Sequence, residues 1–165
     1  MPLDRQWIQS HIPHQGTMCL LDEVLTWNAT RVQCRSSTHR DATNPLRAYD
    51  RLAAVCGIEY GAQAMAVHGA LIASRITASP KSEAIVGYLA SVRNVVLYAE
   101  RLDDIETDLI ASAERVTGDE RTVLYDFSVS GNERILLAGR ATIVFNAAIR
   151  ELTASDHGRL SEQSP

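Results

Sequence analysis

The sequence predicts an α+β domain in which an antiparallel sheet of about six strands wraps around one long helix. Two observations support this prediction. Residues 50–74 form a long, proline-free stretch that is rich in alanine and glycine. The region after it instead alternates between apolar and polar residues with a period of two, as strands do. Small residues let strands approach a helix closely from all sides, which suits a central helix.

A short helix, a turn and two strands are predicted before the long helix, over residues 4–10, 11–16, 18–27 and 30–38. The short helix must end before Pro13, because the residue before a proline avoids helical backbone angles. Asn28-Ala29 is predicted to form the hairpin turn between the two strands. Apolar and polar residues alternate in the second strand, which is typical of a strand with one face in water.

The long helix is predicted to follow a loop over residues 39–49, where polar residues and Pro45 interrupt any periodic pattern. Asp50 is a suitable N-cap, because its side chain can accept a hydrogen bond from a free backbone N–H of the first turn. The helix is predicted to end by Ser79-Pro80, since a proline cannot continue it.

Four further strands are predicted after the helix, over residues 84–98, 106–117, 121–130 and 134–147. Gly118-Asp119 and Gly131-Asn132 are hairpin-like connections, so these strands are predicted to form an antiparallel meander. Residues 1–149 therefore form a single predicted domain. The polar tail over residues 150–165 is predicted to be disordered.

The composition is that of an ordinary globular domain, with 45% hydrophobic and 22% charged residues. A net charge of −4 argues against nucleic-acid binding, which usually needs a basic surface. The three cysteines have no C-x-x-C spacing, which argues against a zinc site or a disulfide framework and for a reducing compartment. No apolar run reaches the ~18 residues of a membrane span, and the polar N-terminus does not resemble a signal peptide. We therefore expect a cytoplasmic protein.

Glu59 is the first candidate for chemistry, because ionised carboxylates are costly to bury unpaired and this one lies among alanines and glycines. Gln63 follows four residues later, on the same face of the helix. A carboxyl group in an apolar setting can act as a general acid or base, but it can also simply accept hydrogen bonds from a loop. His68 lies roughly opposite Glu59 on the helix and is interpreted as a packing residue.

His14 is the second candidate, because it follows a proline in a turn ahead of a predicted strand. A histidine held there can supply half of an acid–base pair, or it can bond only to the backbone of its turn. His11 and His39 do not lie in a comparable rigid turn. Cys56 lies among alanines and is interpreted as a small core residue. The sequence contains no G-x-S-x-G, phosphate-loop, dinucleotide or H-E-x-x-H motif.

Two segments of the sequence are similar to motifs of a known protein family. The first is Ile12-Pro13-His14 followed by Met18-Cys19-Leu20-Leu21-Asp22-Glu23-Val24-Leu25, which is similar to the L-P-H-R … L-L-x-D-R-V opening of the β-hydroxyacyl-ACP dehydratases. The second is Gly57-Ile58-Glu59-Tyr60-Gly61-Ala62-Gln63, which is similar to the E-x-x-A-Q segment on their central helix. The order of elements also resembles their hotdog fold, in which a sheet wraps around the central helix. The resemblance covers about residues 5–147.

The loop before the helix departs from the common dehydratases, which carry a catalytic histidine there in an H-F-P-G motif. The matching position is Pro45, and residues 44–49 contain no histidine. The dehydratase-like group of aryl-polyene pigment clusters, the ApeP-type branch, also lacks this motif but keeps P-H and G-I-E-Y-x-A-Q. The sequence resembles that branch best, which leaves His14 as the histidine beside Glu59.

The resemblance implies dehydration of a 3-hydroxyacyl thioester, carried by an acyl carrier protein, to the trans-2-enoyl thioester. In one assignment His14 would remove the α-proton and Glu59 would protonate the leaving hydroxyl, with Gln63 orienting Glu59; which of the two residues is acid and which is base stays open. Backbone N–H groups near Ala53 and Ala54, at the start of the helix, would polarise the thioester carbonyl. No metal and no bound cofactor are implied, because the substrate arrives on the phosphopantetheine arm of the carrier.

Proteins of this type generally form dimers with the active site at the subunit interface, which implies a homodimer or a heterodimer with another hotdog subunit. Two other functions stay open. In a hotdog thioesterase, Glu59 would activate water against the thioester and His14 would be dispensable. A non-catalytic subunit would have only a structural role in a heterodimer, or it would bind the acyl carrier protein without chemical change.

Overall fold

A computed structural model describes residues 2–76 and 86–145 of the chain. Some predicted features lie outside these residues: the helix end at Ser79-Pro80, the outer ends of two strands at residues 84–85 and 146–147, and the tail over residues 150–165. All other predicted elements can be compared with the structure.

The described residues contain two α-helices and six strands: α1 (Arg5–His11), β1 (Glu23–Trp27), β2 (Arg31–Ser36), α2 (Gly57–Ile76), β3 (Gly87–Leu97), β4 (Leu109–Gly118), β5 (Thr122–Gly131) and β6 (Arg134–Phe145). All six strands pair antiparallel in one sheet, in the order β1-β2-β4-β5-β6-β3. One long helix beside a six-stranded sheet confirms the predicted α+β class. No helix in this part of the chain is long and apolar enough to cross a membrane.

The N-terminal elements follow the prediction, except that the first strand is shorter. The Asp4 carboxylate caps α1 by accepting the Trp7 N–H at 3.0 Å, and α1 ends two residues before Pro13. β1 begins at Glu23 and not at residue 18. The reason is that Gly16–Met18 form a 3₁₀ turn and the backbone of the next residues is bonded to side chains. The Leu20 N–H, for example, donates to Gln63 Oε1 at 2.8 Å.

The long helix begins later than predicted, and Asp50 is not its N-cap. Asp50 lies in a tight turn with a positive φ of 58°. The residues after it pair with the segment that follows β3, where the Ala54 N–H donates to the Glu100 C=O at 3.0 Å. Helical bonding therefore starts only with a 3₁₀ turn over Ala54–Cys56, which leads directly into α2.

The sheet order corrects the predicted four-strand meander. β4, β5 and β6 pair in sequence, but β3 pairs with β6 and β4 pairs with β2. The segment after β3 crosses to the residues before α2, where the Leu102 N–H donates to the Leu52 C=O at 2.8 Å. This crossing takes the chain away from β3 before β4 begins, so the two strands do not become neighbours.

Small residues of α2 allow the sheet to pack close to the helix. A Cβ atom at Gly61 would lie 2.5 Å from Phe127 Cδ2 in β5, and one at Gly57 would collide with the Leu137 side chain in β6. Any side chain at these two positions would hold the strands further from the helix axis. The apolar face of β5 points inward as its alternation predicts, and its buried residues are Val123, Tyr125, Phe127 and Val129.

Two buried histidines have structural partners away from Glu59. His68 Nδ1 lies 2.8 Å from the Tyr125 hydroxyl, and its Nε2 lies 3.0 Å from the Asn28 C=O, which agrees with a packing role. His39 Nε2 lies 3.0 Å from the Ile105 C=O. Burial lowers the pKa of both imidazoles from the ordinary value, so the folded protein holds them neutral near pH 7.

We expect the free energy of unfolding to decrease as the pH falls below about 6.5. In that range the unfolded chain binds protons at His39 and His68 that the folded protein does not bind, and each group contributes a slope of at most ~1.4 kcal/mol per pH unit. Urea denaturation across this range measures the slope. His68→Gln should reduce it, whereas replacing the exposed His11 with Gln should not, and stability that increases on acidification would contradict the assignment.

Candidate active site

Glu59 lies in the first turn of α2, on a side of the helix that the sheet covers only in part. Its side chain is 31% exposed, so the carboxylate can be reached from solvent. The other incompletely buried residues on this side are small or apolar: Val55, Ile58, Ala62 and Ala66. Among these residues Glu59 alone carries a charge, which makes it the chemically distinct point of the face.

The turn that carries His14 is fastened to both of its neighbours. The Arg5 guanidinium of α1 donates to the Cys19 C=O at 2.6 Å. The Gln15 side chain donates back to the Gln9 C=O at 2.5 Å. These bonds join α1 to the segment before β1, so the backbone around His14 is fixed even though the side chain is 26% exposed.

His14 and Glu59 meet within one chain, where His14 Nε2 lies 3.0 Å from Glu59 Oε1. Burial raises the pKa of the Glu59 carboxyl, but hydrogen bonds from His14 and Gln63 lower it, and the net pKa lies below the ordinary value. The carboxylate is therefore the resting form of Glu59 near neutral pH. The two titratable residues singled out from the sequence thus form a hydrogen-bonded pair.

The surroundings of His14 Nδ1 indicate which ring nitrogen of His14 carries the N–H. His14 Nδ1 is shielded from solvent and has no hydrogen-bond partner within the described part of the chain. A neutral imidazole carries one N–H and one lone pair, and the N–H belongs on the nitrogen that has an acceptor. We therefore place it on Nε2, from which it is donated to the Glu59 carboxylate.

Gln63 orients Glu59, as its position one turn later suggested. The Gln63 side chain is fully buried, and its Nε2 donates to Glu59 Oε1 at 3.0 Å and to the Met18 C=O at 2.8 Å. The orientation of the amide is settled by Leu20, whose backbone N–H donates to Gln63 Oε1 at 2.8 Å. Gln63 thus ties the carboxylate to the segment that leads back to His14.

The two predicted carbonyl-binding donors are held differently. The Ala54 N–H already donates to the Glu100 C=O, so Ala54 cannot polarise a thioester carbonyl without losing that bond. Ala53 precedes the 3₁₀ turn in an extended conformation. Its backbone N–H lies against the Cys56 thiol, which is a weak acceptor. Because that bond is weaker than the one at Ala54, Ala53 is the more readily released of the two expected donors.

The other sequence candidates do not join this site. Burial raises the pKa of the Cys56 thiol, and its Sγ lies 3.7 Å from the Leu46 C=O, so it is not an activated nucleophile. No group of three or more His, Cys, Asp or Glu residues that could hold a metal ion occurs within residues 2–76 and 86–145. The sequence analysis did not single out Arg5, because its contacts with the His14 turn exist only in the fold.

Comparisons with known proteins identify the family and the fold. The family model of the ApeP-like proteins, described as ApeP dehydratase, matches residues 6–154. The dehydratase heterocomplex ApeI:P from Xenorhabdus doucetiae is a similar solved structure, with a TM-score of 0.75 and 20% identity over 93% of this chain and 97% of that chain. No curated protein sequence matches the chain.

Several thioesterases share the fold at lower similarity. A thioesterase from Haemophilus influenzae has a TM-score of 0.53 and 10% identity over 74% of this chain and 76% of its own. A hypothetical thioesterase with coenzyme A from Streptococcus pneumoniae has a TM-score of 0.51 and 14% identity over 75% and 84%. At such identities the solved structures establish the hotdog fold alone, whereas the family match spans nearly the whole chain. The chain therefore belongs to the ApeP-like dehydratase family.

Proposed function

We propose that this dehydratase-family protein removes water from a 3-hydroxyacyl thioester, carried on the phosphopantetheine arm of an acyl carrier protein, to give the trans-2-enoyl thioester. The observation that carries the proposal is the 3.0 Å contact between His14 Nε2 and Glu59 Oε1 in a partly exposed position. The fatty-acid or polyene character of the pathway is part of the same proposal and rests on the family resemblance.

The reaction requires a proton to move twice. The α-C–H bond breaks and its electron pair forms the C=C bond, while the β-C–O bond breaks and the hydroxyl leaves as water after gaining a proton. The pair ends as it began, because the proton taken from carbon balances the proton given to oxygen. A hydrogen-bonded acid–base pair with one accessible face is therefore sufficient for this chemistry.

The ionised form of Glu59 favours this residue as the first proton acceptor. Its carboxylate is ionised and accepts hydrogen bonds from both His14 and Gln63 at Oε1, which leaves Oε2 for the substrate. Of the two assignments that the family resemblance leaves open, this is the one in which Glu59, and not His14, is the base. In the proposed scheme His14 holds the carboxylate in place and shares the transferred proton, and the Ala53 N–H polarises the thioester carbonyl.

A second hotdog subunit is proposed to pair with the outer edge of β3, which has no partner strand among residues 2–76 and 86–145. This strand lies at one end of the sheet, and Arg93 is its only charged residue. Its large apolar side chains are close to half exposed: Tyr88, Leu89, Val96 and Leu97. A long, apolar edge strand invites strand pairing with another chain. The similar ApeI:P structure is a heterocomplex, which supports a heterodimer, and a homodimer would use the same edge.

A thioesterase is the second candidate function, because thioesterases occur among the proteins of similar fold. In that reaction Glu59 would activate water, and nothing would require His14 to bond to it. The observed contact between the two side chains favours dehydration over thioester hydrolysis. A non-catalytic subunit is the third candidate, and it predicts that the acyl carrier protein binds without chemical change.

Mass spectrometry of a 3-hydroxyacyl-ACP incubated with the protein, alone and with a partner hotdog subunit, tests the proposal. Loss of one water from the acyl group supports dehydration, and release of the free acid supports the thioesterase. Activity only in the mixture would show that the partner is required. Unchanged acyl-ACP across a series of chain lengths in both conditions would overturn the enzyme assignment, and retention of that ACP on a sizing column would support the non-catalytic subunit.

A further inference from the structure

We propose that Tyr60 is a positioning residue for the His14–Glu59 pair, acting through buried hydrogen bonds that fix the segment leading to His14. The inference rests on the proposed function, because the pair that it positions is the proposed acid–base pair. Tyr60 follows Glu59 directly in α2, and its side chain is fully buried. Its hydroxyl is therefore reached by protein groups and not by solvent.

The hydroxyl hydrogens give the hydrogen-bond chain a direction. Thr38 has one hydroxyl hydrogen, which it donates to the Leu20 C=O at 2.8 Å. We assign Thr38 Oγ1 as the acceptor of the Tyr60 hydroxyl hydrogen, 3.0 Å away, because the other polar group bonded to the Tyr60 hydroxyl, Asn44 Nδ2, is itself a donor. Asn44 Nδ2 in turn donates to the Tyr60 hydroxyl oxygen at 2.9 Å. Tyr60 and Thr38 each accept one bond and donate the next, an arrangement in which hydrogen bonds reinforce one another.

The Leu20 peptide is held on both sides. Its C=O accepts a second hydrogen bond from Ser36 Oγ at 2.5 Å, and its N–H donates to Gln63 Oε1 at 2.8 Å. Gln63 is also the residue that orients the Glu59 carboxylate. One peptide unit therefore connects the Tyr60 chain to the amide that binds the catalytic carboxylate.

These contacts close a ring. From the Glu59 side chain it runs through Gln63, the Leu20 peptide, Thr38 and Tyr60, and it returns to Glu59 along the helix backbone. Without the Tyr60 hydroxyl, the Leu20 segment would lose its link to this turn of the helix. Gln63 and the turn that carries His14 could then shift relative to the carboxylate.

Asn44 gives the loop before α2 a structural role next to the position where the common dehydratases have a catalytic histidine. It precedes Pro45, the position that matches the loop histidine of the common dehydratases. The Asn44 side chain is nearly buried and donates to the Thr38 C=O and to the Tyr60 hydroxyl, both at 2.9 Å. This loop therefore locks Tyr60 against Thr38, and Asn44 and Pro45 carry no group that transfers a proton.

Tyr60→Phe and Tyr125→Phe form a matched pair that tests the proposal. Each removes one hydroxyl from a buried tyrosine, and Tyr125 bonds to His68 on the other side of α2. In the dehydration assay, Tyr60→Phe should lower kcat by about ten- to a hundredfold with little change in KM, because ångström-scale misplacement of reacting groups has effects of that size. Tyr125→Phe should leave kcat unchanged even though it lowers stability. Equal kcat losses in the two variants would overturn the proposal.

A spectroscopic measurement separates this proposal from the proposed function. The ¹⁵N chemical shift of His14 Nε2 reports its hydrogen bond with Glu59 and needs no substrate. It should change in Tyr60→Phe and Thr38→Val, and it should stay at the wild-type value in Tyr125→Phe and Thr38→Ser, which keeps the hydroxyl. An unchanged shift in both Tyr60→Phe and Thr38→Val rules out positioning. An inactive wild-type protein with the expected shifts would reject the dehydratase assignment alone.

Discussion

Replacing Glu59 or His14 with alanine is expected to lower the rate of dehydration by about a hundred- to ten-thousandfold, the usual contribution of general acid–base catalysis. Each substitution removes one side of the 3.0 Å contact and leaves the other without its partner. The rate is measured by mass spectrometry as the loss of one water from a 3-hydroxyacyl-ACP. The double variant should be little slower than the slower single variant, because residues that act as a unit are not additive.

Two further variants give this experiment its controls. Glu59→Gln keeps a side chain of the same shape beside Gln63 but cannot accept the α-proton, so it should be as inactive as Glu59→Ala. His11→Ala removes an exposed histidine three residues before His14 and should keep full activity. Wild-type dehydration rates in His14→Ala would contradict the pair mechanism and would leave Glu59 as the acid–base group that acts alone.

Gly61→Val is expected to destabilise the protein by about 1–3 kcal/mol, the usual cost of overpacking a core. Even a Cβ at Gly61 would lie 2.5 Å from Cδ2 of the buried Phe127 ring, and the ring cannot move aside without disturbing β5. For a chain of this size, Tm should fall by roughly 2–12 °C. Thermal unfolding followed by circular dichroism measures the change.

Gly69→Val in the same helix is the matched control. A Cβ at Gly69 meets nothing within 4 Å among the described residues, so no overpacking cost applies. Valine also has a better helix propensity than glycine by a few tenths of a kcal/mol, and Tm should stay the same or increase slightly. A similar loss of stability at both positions would mean that the helix, and not the close approach of β5, is sensitive to substitution.

The fold class could be predicted from the sequence because its two patterns are local. The apolar stretch that contains Glu59 indicates the helix, and the alternation in residues 121–130 indicates a strand. The start of the helix was predicted wrongly at Asp50, because the backbone of Ala54 is bonded to the Glu100 C=O, a contact between residues distant in sequence. The pairing of β3 with β6 was missed for the same reason, since strand order depends on partners that no local pattern identifies.

The candidate site, like the fold, could be predicted from the sequence only where local patterns identify it. Glu59 and Gln63 could be assigned to one helix face from their spacing, and the structure places them 3.0 Å apart. The family resemblance placed His14 in the same site as Glu59 and Gln63, which the hydrophobic periodicity alone could not do. The sequence also could not show that the Ala54 N–H, expected as a carbonyl donor, bonds to the Glu100 C=O. Tyr60 belongs to the segment Gly57–Gln63 that carries the resemblance, but its role could not be predicted, because its partner Thr38 is 22 residues away in sequence.

The placement of β3 at the end of the sheet, next to β6, has a consequence for biogenesis. During synthesis β3 leaves the ribosome before β4, β5 and β6, so its only neighbour in the sheet does not yet exist. At cellular rates of elongation this delay is on the order of seconds, during which an apolar strand has both edges unpaired. When β6 arrives it covers one edge, and no other described strand pairs with the second. The nascent chain therefore presents an apolar strand edge that favours aggregation, and co-expression with a subunit that pairs with β3 should increase the soluble yield.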